Sequence, residues 1–120
     1  MAIGDLRRPE ACEPMFEARA EVTDGLARLQ LAGELDIAAI PLLEHEYGRI
    51  EDQGSTVIVL DLEGLEFIDA AGLGAILGAA RSARTNGRAL RVVGAGPHVR
   101  KVFDLTGNTG LLAPGGVTHA

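Results

Sequence analysis

The sequence predicts a single α/β (α+β) domain: a mixed β-sheet with helices packed on it, in the order β-β-α-β-α-β-α with a weak final strand. Three observations predict it. The chain has 120 residues, enough for one domain with a core of its own. Thr56 to Leu62, TVIVLDL, is apolar at nearly every position, as in a central strand covered on both faces or held in a parallel pair. Downstream of an opening hairpin, stretches with the helical period alternate with short apolar runs, the pattern of strand–helix–strand units.

Met1 to Pro14 shows no period and is expected to be a flexible N-terminal arm, with the domain over residues 15–112 and a short tail over 113–120. Met15 to Glu21 alternates as a strand. Asp24-Gly25 is a turn signal, and Leu26, Leu29 and Leu31 carry the extended pattern on to Gly33, which makes a hairpin. Gly33 to Asp36 reads as a loop. Pro41 sits near a helix start, where its missing N–H is harmless, and Leu43, Tyr47 and Ile50 share one helix face up to a stop at Gly54. After Thr56–Leu62, a second apolar run, Leu65 to Ile68, leads to Asp69. Ala71 to Asn86 reads as a helix with Leu73, Ile76, Leu77 and Ala80 as its core stripe. Ala89 to Val93 is a short strand. Pro97 opens a third helix with Val99, Val102 and Phe103 on one face, closed by Gly107, and Leu111-Leu112 forms the weak last strand. The expected core includes Val57, Val59, Leu60, Leu73, Ile76 and Phe103.

Charge narrows the function classes. The net charge is −6, Trp is absent and aromatic residues make up 3% of the chain, so neither phosphate attraction nor base stacking favours a nucleic-acid partner. No apolar run approaches the ~20 residues of a membrane span, and the first residues lack the apolar stretch of a secretory signal. The one cysteine, Cys12, has no partner for a disulfide, which fits a reducing, cytoplasmic setting. The charges are segregated: Glu34 to Asp69 holds ten acidic residues against Arg49 alone, and Arg81 to Lys101 holds six basic residues and no acid. Such a split is either a pair of solvated faces or a bipolar field that orients a charged protein partner.

The chain offers little for catalysis. His45, His98 and His119 are scattered, Cys12 has no nearby base, and neither a nucleophile elbow nor a phosphate-binding P-loop is present. The glycines of Gly72-Leu73-Gly74-Ala75-Ile76-Leu77-Gly78 are misspaced for a dinucleotide loop. Asp36, Asp61 and Asp69 read as structural or capping acids rather than an acid/base set. No enzyme activity, catalytic residue, metal site or cofactor is expected.

The junction Phe67-Ile68-Asp69-Ala70-Ala71-Gly72-Leu73-Gly74 stands out. Asp69 is suited to cap a helix. Beyond it Ala71, Ala75 and Ala79 recur every four residues, and Gly74 and Gly78 do the same beside them. Each glycine in a helix costs about 1 kcal/mol against alanine. The stripe either packs tightly on a neighbouring element or is a flat docking surface at a positively polarised helix end.

Two motifs place the chain beside a known family. They are Gly33-Glu34-Leu35-Asp36, and Asp61-Leu62 followed by Leu65, Phe67-Ile68-Asp69 and Gly72-Leu73-Gly74; Val99 to Gly107 adds a third similar stretch. From Phe16 to Leu112 the chain resembles the STAS family, shared by sulfate-transporter cytoplasmic domains and bacterial anti-sigma-factor antagonists. The resemblance implies a mixed sheet with helices on one side. It implies an antagonist that binds an anti-sigma factor, often a kinase, and so frees a sigma factor, with a weak homodimer as a further association. It places the partner-binding surface at Glu34, Asp36, Asp69, Ala70, Ala71, Gly72, Gly74, Ala75 and Gly78. In such antagonists a serine or threonine follows the motif's Asp and is phosphorylated to switch binding off. Here Ala70 occupies that position and Ala71 follows, so neither offers a hydroxyl. Two alternatives within the family are a scaffold subunit of a signalling complex and a nucleotide or small-ligand domain that uses the amide hydrogens from Asp69 to Gly72.

Overall fold

Alternation of apolar and polar side chains in the first two strands decides which face of the sheet is covered. A computed structural model describes residues 15–112, so the predicted arm and tail lie outside the described residues. Strands β1 (Phe16–Thr23) and β2 (Leu26–Leu35) pair antiparallel from Thr23↔Leu26 to Phe16↔Gly33. Asp24 and Gly25 join them with φ of 52° and 82°, the left-handed pair that two-residue hairpin turns require. Strand β3 (Val57–Ile68) runs parallel to β2, and β4 (Ala89–Val93) parallel to β3, in the order β1-β2-β3-β4. Helix α1 (Ile40–Asp52) follows a 3-10 turn at Ile37–Ala39 and connects β2 to β3. Helix α2 (Ala70–Thr85) connects β3 to β4, and α3 (Pro97–Leu105) follows β4. The mixed sheet and helix order agree with the sequence-based expectation.

All three helices cover one face. Ala27 and Leu29 of β2 register beside Ile58 and Leu60 of β3, Val92 of β4 pairs beside Leu60, and Leu31 and Leu62 join the same buried cluster. Leu43, Tyr47 and Ile50 from α1, Leu73 and Ile76 from α2, and Val99 and Phe103 from α3 close over them in one buried cluster. The other face carries the exposed Arg28 and Gln30, with Val59 and Val93 as a small separate apolar pair. Asp61 lies on that face at 4% exposure. Its carboxylate pairs with Arg28 and accepts the Glu63 amide at 2.9 Å.

Several expectations are corrected. Thr56–Leu62 and Leu65–Ile68 belong to one strand: the ladder slips between Gln30 and Ala32 but does not end, because Asp61 satisfies the displaced amide of Glu63. Gly33 to Leu35 is the end of β2 rather than a loop. Gly33, at φ +91°, brings the chain against the Met15 carbonyl, where a Cβ would stand 2.2 Å from the oxygen. Val57 is 37% exposed because it points to the uncovered face at the strand's first residue. Leu111 and Leu112 make no full strand; a 3-10 turn over Thr109–Leu111 leaves room for a single bridge, Val92↔Leu112.

The stripe of α2 is also turned. Gly72, Leu73, Ile76 and Ala83 are its buried residues, while Leu77 and Ala80 are half-buried. Asp69 fixes the first turn, and with it the phase at 100° per residue, so Leu77 falls on the flank. Ile76→Ala should therefore cost about 2–5 kcal/mol, the range for emptying a fully buried aliphatic site, and Leu77→Ala less than about 2 kcal/mol. Urea denaturation of the two variants measures this; equal losses would place Leu77 inside.

Candidate functional site

Because β2, β3 and β4 are parallel, their C-terminal ends form one edge, and the two sequence motifs meet there. Leu35 pairs with Ile68 at the last rung, and the Asp69 amide donates to the Leu35 carbonyl at 3.3 Å. Asp36 Oδ1 accepts the amides of Ala38 (3.1 Å) and Ala39 (3.2 Å) and so caps the 3-10 turn. Asp69 Oδ1 accepts the Gly72 amide at 2.7 Å and caps α2. Both carboxylates are thus committed to helix starts. Asp69 also fills the anion position that the Gly72 amide would offer a ligand. Gly72 has a steric reason: a Cβ there would stand 2.3 Å from the Leu35 oxygen.

Past Gly72 the helix surface is open. Ala70 is exposed at the first position of α2, with Gly74 exposed one turn on and Ala71, Ala75 and Gly78 half-buried. A Cβ added at Gly74 or Gly78 would meet nothing within 4 Å. Tight packing on a neighbouring element therefore explains Gly72 and does not explain Gly74 or Gly78. These two glycines border a groove of about 340 Å³ between α1 and α2, with Leu43, Tyr47 and Gly48 on the α1 side. Exposed aliphatic side chains lie nearby in the chain: Ile37 in the capped turn is 73% exposed and Leu42 in α1 is 42%. Glu34 is half-buried at the end of β2, with its amide on the Met15 carbonyl at 2.6 Å.

The remaining candidates scatter. Asp61 is spent on Arg28 and the Glu63 amide. His45 is exposed on α1, and His98 stacks on Phe67 with centroids 5.8 Å apart and planes 18° apart. Cys12 and His119 lie outside the described residues. Among the described residues no three His, Cys, Asp or Glu side chains cluster as metal ligands, and no helix is long and apolar enough to cross a membrane. The helical period puts Tyr47 on one face with Leu43 and Ile50 and does not single out Gly48, although a glycine inside a helix is the same signal that marks Gly74 and Gly78.

Tyr47 holds the groove in place. Its hydroxyl donates to the Ala79 carbonyl at 3.0 Å and ties α1 to α2. Burial first, and the Glu51 carboxylate second, push the phenol up to about 12 from its ordinary 10.0, with Arg88 pulling the other way.

Residues 17–115 match the family model for the STAS domain. The chain belongs to the STAS domain family. This STAS chain is 27% identical over 84 residues to the anti-sigma-B factor antagonist of Staphylococcus aureus, covering 70% of the chain and 78% of the relative. An anti-sigma factor antagonist from Mycobacterium paratuberculosis shares its fold with a TM-score of 0.73 at 27% identity, over 82% of this chain and 86% of that one. SpoIIAA, an anti-sigma factor antagonist, is similar in its unphosphorylated form with a TM-score of 0.70 at 29% identity, over 81% and 86% of the two chains. Its phosphorylated form, described as a Bacillus cell fate determinant, gives 0.65 at 28% identity, over 81% and 89%.

Two predictions follow from the site's geometry. Gly74→Ala and Gly78→Ala should each stabilise the STAS domain by up to about 1 kcal/mol, whereas Gly72→Ala should destabilise it by about 3 kcal/mol, the upper end of overpacking costs. Urea midpoints decide; a loss at position 74 or 78 would mean that the open stripe is packed after all. The second concerns pH. The folded state holds the Tyr47 proton more tightly than the unfolded chain, so the stabilisation is complete below pH 10 and is lost as pH rises from 10 toward 12. Tyr47 is the single tyrosine, so phenolate absorbance reads it alone. It should titrate near 12 in the native protein and near 10 in urea; a native midpoint at 10 would remove the buried, hydrogen-bonded phenol.

Proposed function

We infer that this STAS protein is an anti-sigma-factor antagonist. It binds an anti-sigma factor of the serine-kinase type through the start of α2 and, by occupying that factor, frees a sigma factor. The proposed surface runs from Glu34 and Asp36 through Asp69, Ala70, Ala71 and Gly72 to Gly74, Ala75 and Gly78. It acts in the cytoplasm by binding, without catalysis or a cofactor, and engages neither nucleic acid nor a membrane.

The observation that carries this reading is Ala70, exposed at the first position of α2 beside backbone left open at Gly74 and Gly78. A partner can reach main chain there without displacing any side chain. The antagonist relatives support the reading, and SpoIIAA occurs in both unphosphorylated and phosphorylated forms. A phosphate at position 70 would add a charge of about −1.5 to −2. A helix N-terminus tolerates an anion, so the fold would survive it. The docked partner would not, because the added charge stands beside the Asp69 carboxylate and lifts the partner off a surface of Ala and Gly. Ala70 has no hydroxyl to modify, so this antagonist is locked in its binding-competent form.

Calorimetry with the anti-sigma factor tests the reading. Ala70→Glu should weaken binding by about tenfold or more through a charge at the contact, with an unchanged melting temperature. Ala70→Ser should become an acceptor for the partner's kinase activity, while the parent stays unlabelled at position 70. Equal affinity of Ala70→Glu and the parent would place the docking face elsewhere.

A further inference from the structure

The C-terminal half of α2 borders a second groove, of about 370 Å³, between that helix and the segment after α3. Its apolar lining comes from Leu77, Ala80 and Leu111, all half-buried. Arg81 and Arg84 stand on the α2 side, both exposed. Gly107 and Gly110 border the far side, where a Cβ would meet nothing within 4 Å. Leu105, two residues before that wall, is 76% exposed, the most exposed large apolar side chain among the described residues.

Among the described residues the two arginines lack counter-charges. Arg28, Arg49 and Arg88 each pair with a carboxylate. Arg81 and Arg84 reach none among the described residues, and the stretch from Arg81 to Lys101 contains no acidic residue in a chain of net charge −6. Like charges three apart on a helix repel one another, and guanidinium groups favour bidentate contact with carboxylates. A small anion would gain nothing from the apolar lining. A nucleic acid would meet the net negative charge of the whole molecule. An occupant with both acidic and apolar side chains satisfies both parts of the groove.

We propose that this groove docks an acidic segment of a partner protein, with Asp or Glu side chains on Arg81 and Arg84 and an apolar side chain against Leu77, Ala80 and Leu111. The site is separate from the surface at Ala70, so α2 presents one binding surface at each end.

Selection of short random peptides on phage against the full chain tests this. Enriched peptides should carry Asp or Glu next to Leu, Ile or Phe, and should shift the amide resonances of residues 77–84 and 107–111. The double variant Arg81→Glu/Arg84→Glu should bind them about tenfold or more weakly, with melting curves confirming the fold. Arg81→Gln/Arg84→Gln should fall between, and Ala70→Glu should bind like the parent, which separates this site from the one at position 70. Three results would each overturn the proposal. One is the absence of an acidic–apolar consensus, another is equal binding by the double variants. The third is the same amide shifts from inorganic phosphate alone, which would make the groove a plain anion site.

Discussion

The contact between the Leu35 carbonyl and Gly72 is the constraint on which the rest of the site depends. Residue 72 can carry no side chain, because a Cβ would stand 2.3 Å from that oxygen. The same carbonyl accepts the Asp69 amide at 3.3 Å, so the ends of β2 and β3 and the first turn of α2 converge on one atom. Asp69 then caps the Gly72 amide and sets where the helix begins. The starting point sets the phase, and the phase sends Leu73, Ile76 and Ala83 into the core while Ala70 and Gly74 face outward. The position of the outward surface is therefore a consequence of backbone packing at the sheet edge.

The uncovered face of the sheet shows how an apparently reactive acid becomes structural. A buried carboxylate is costly unless it is paired and hydrogen-bonded. Asp61 has both kinds of partner: Arg28 across the strand and the Glu63 amide displaced by the slip in the β2–β3 ladder. Gly94, at φ +76°, closes against it, with a Cβ there reaching 3.0 Å from its oxygen. The acid holds an irregular strand together through both of its oxygens.

Those two arrangements explain what could be read in the sequence. The element order was legible because strand and helix periods differ and because Asp24-Gly25, Pro41, Pro97 and Gly107 punctuate them. Asp69 was legible as a cap from its place before a helical run. The phase of α2 was not: Leu77 is as apolar as Ile76, and only the contact at Gly72, made with a residue 37 positions earlier, decides which one is buried. The continuity of β3 was hidden for a similar reason, since the partners that hold its irregular middle, Arg28 and Gly94, are distant in the chain. The resemblance to a family supplied the proposed site residues, but whether Gly74 and Gly78 were packed or open depended on where α1 lies.

Helix α2 is a poor helix by intrinsic propensity on its open side, and its neighbours hold it. Two exposed or half-exposed glycines together cost about 2 kcal/mol against alanine. The Tyr47 hydroxyl on the Ala79 carbonyl, the Ser82 hydroxyl on Glu51 at 3.2 Å, and the Asp69 cap each fix the helix from outside its own backbone ladder. Arg88 extends the link, bonding the Ser55 carbonyl at 2.7 Å and pairing with Glu51. Because α1 and the sheet supply this support, the outward face needs no bulky side chains for stability. Among the described residues it carries little side chain at its N-terminal end, at Ala70 and Gly74, and Arg81 and Arg84 without a partner carboxylate at its C-terminal end.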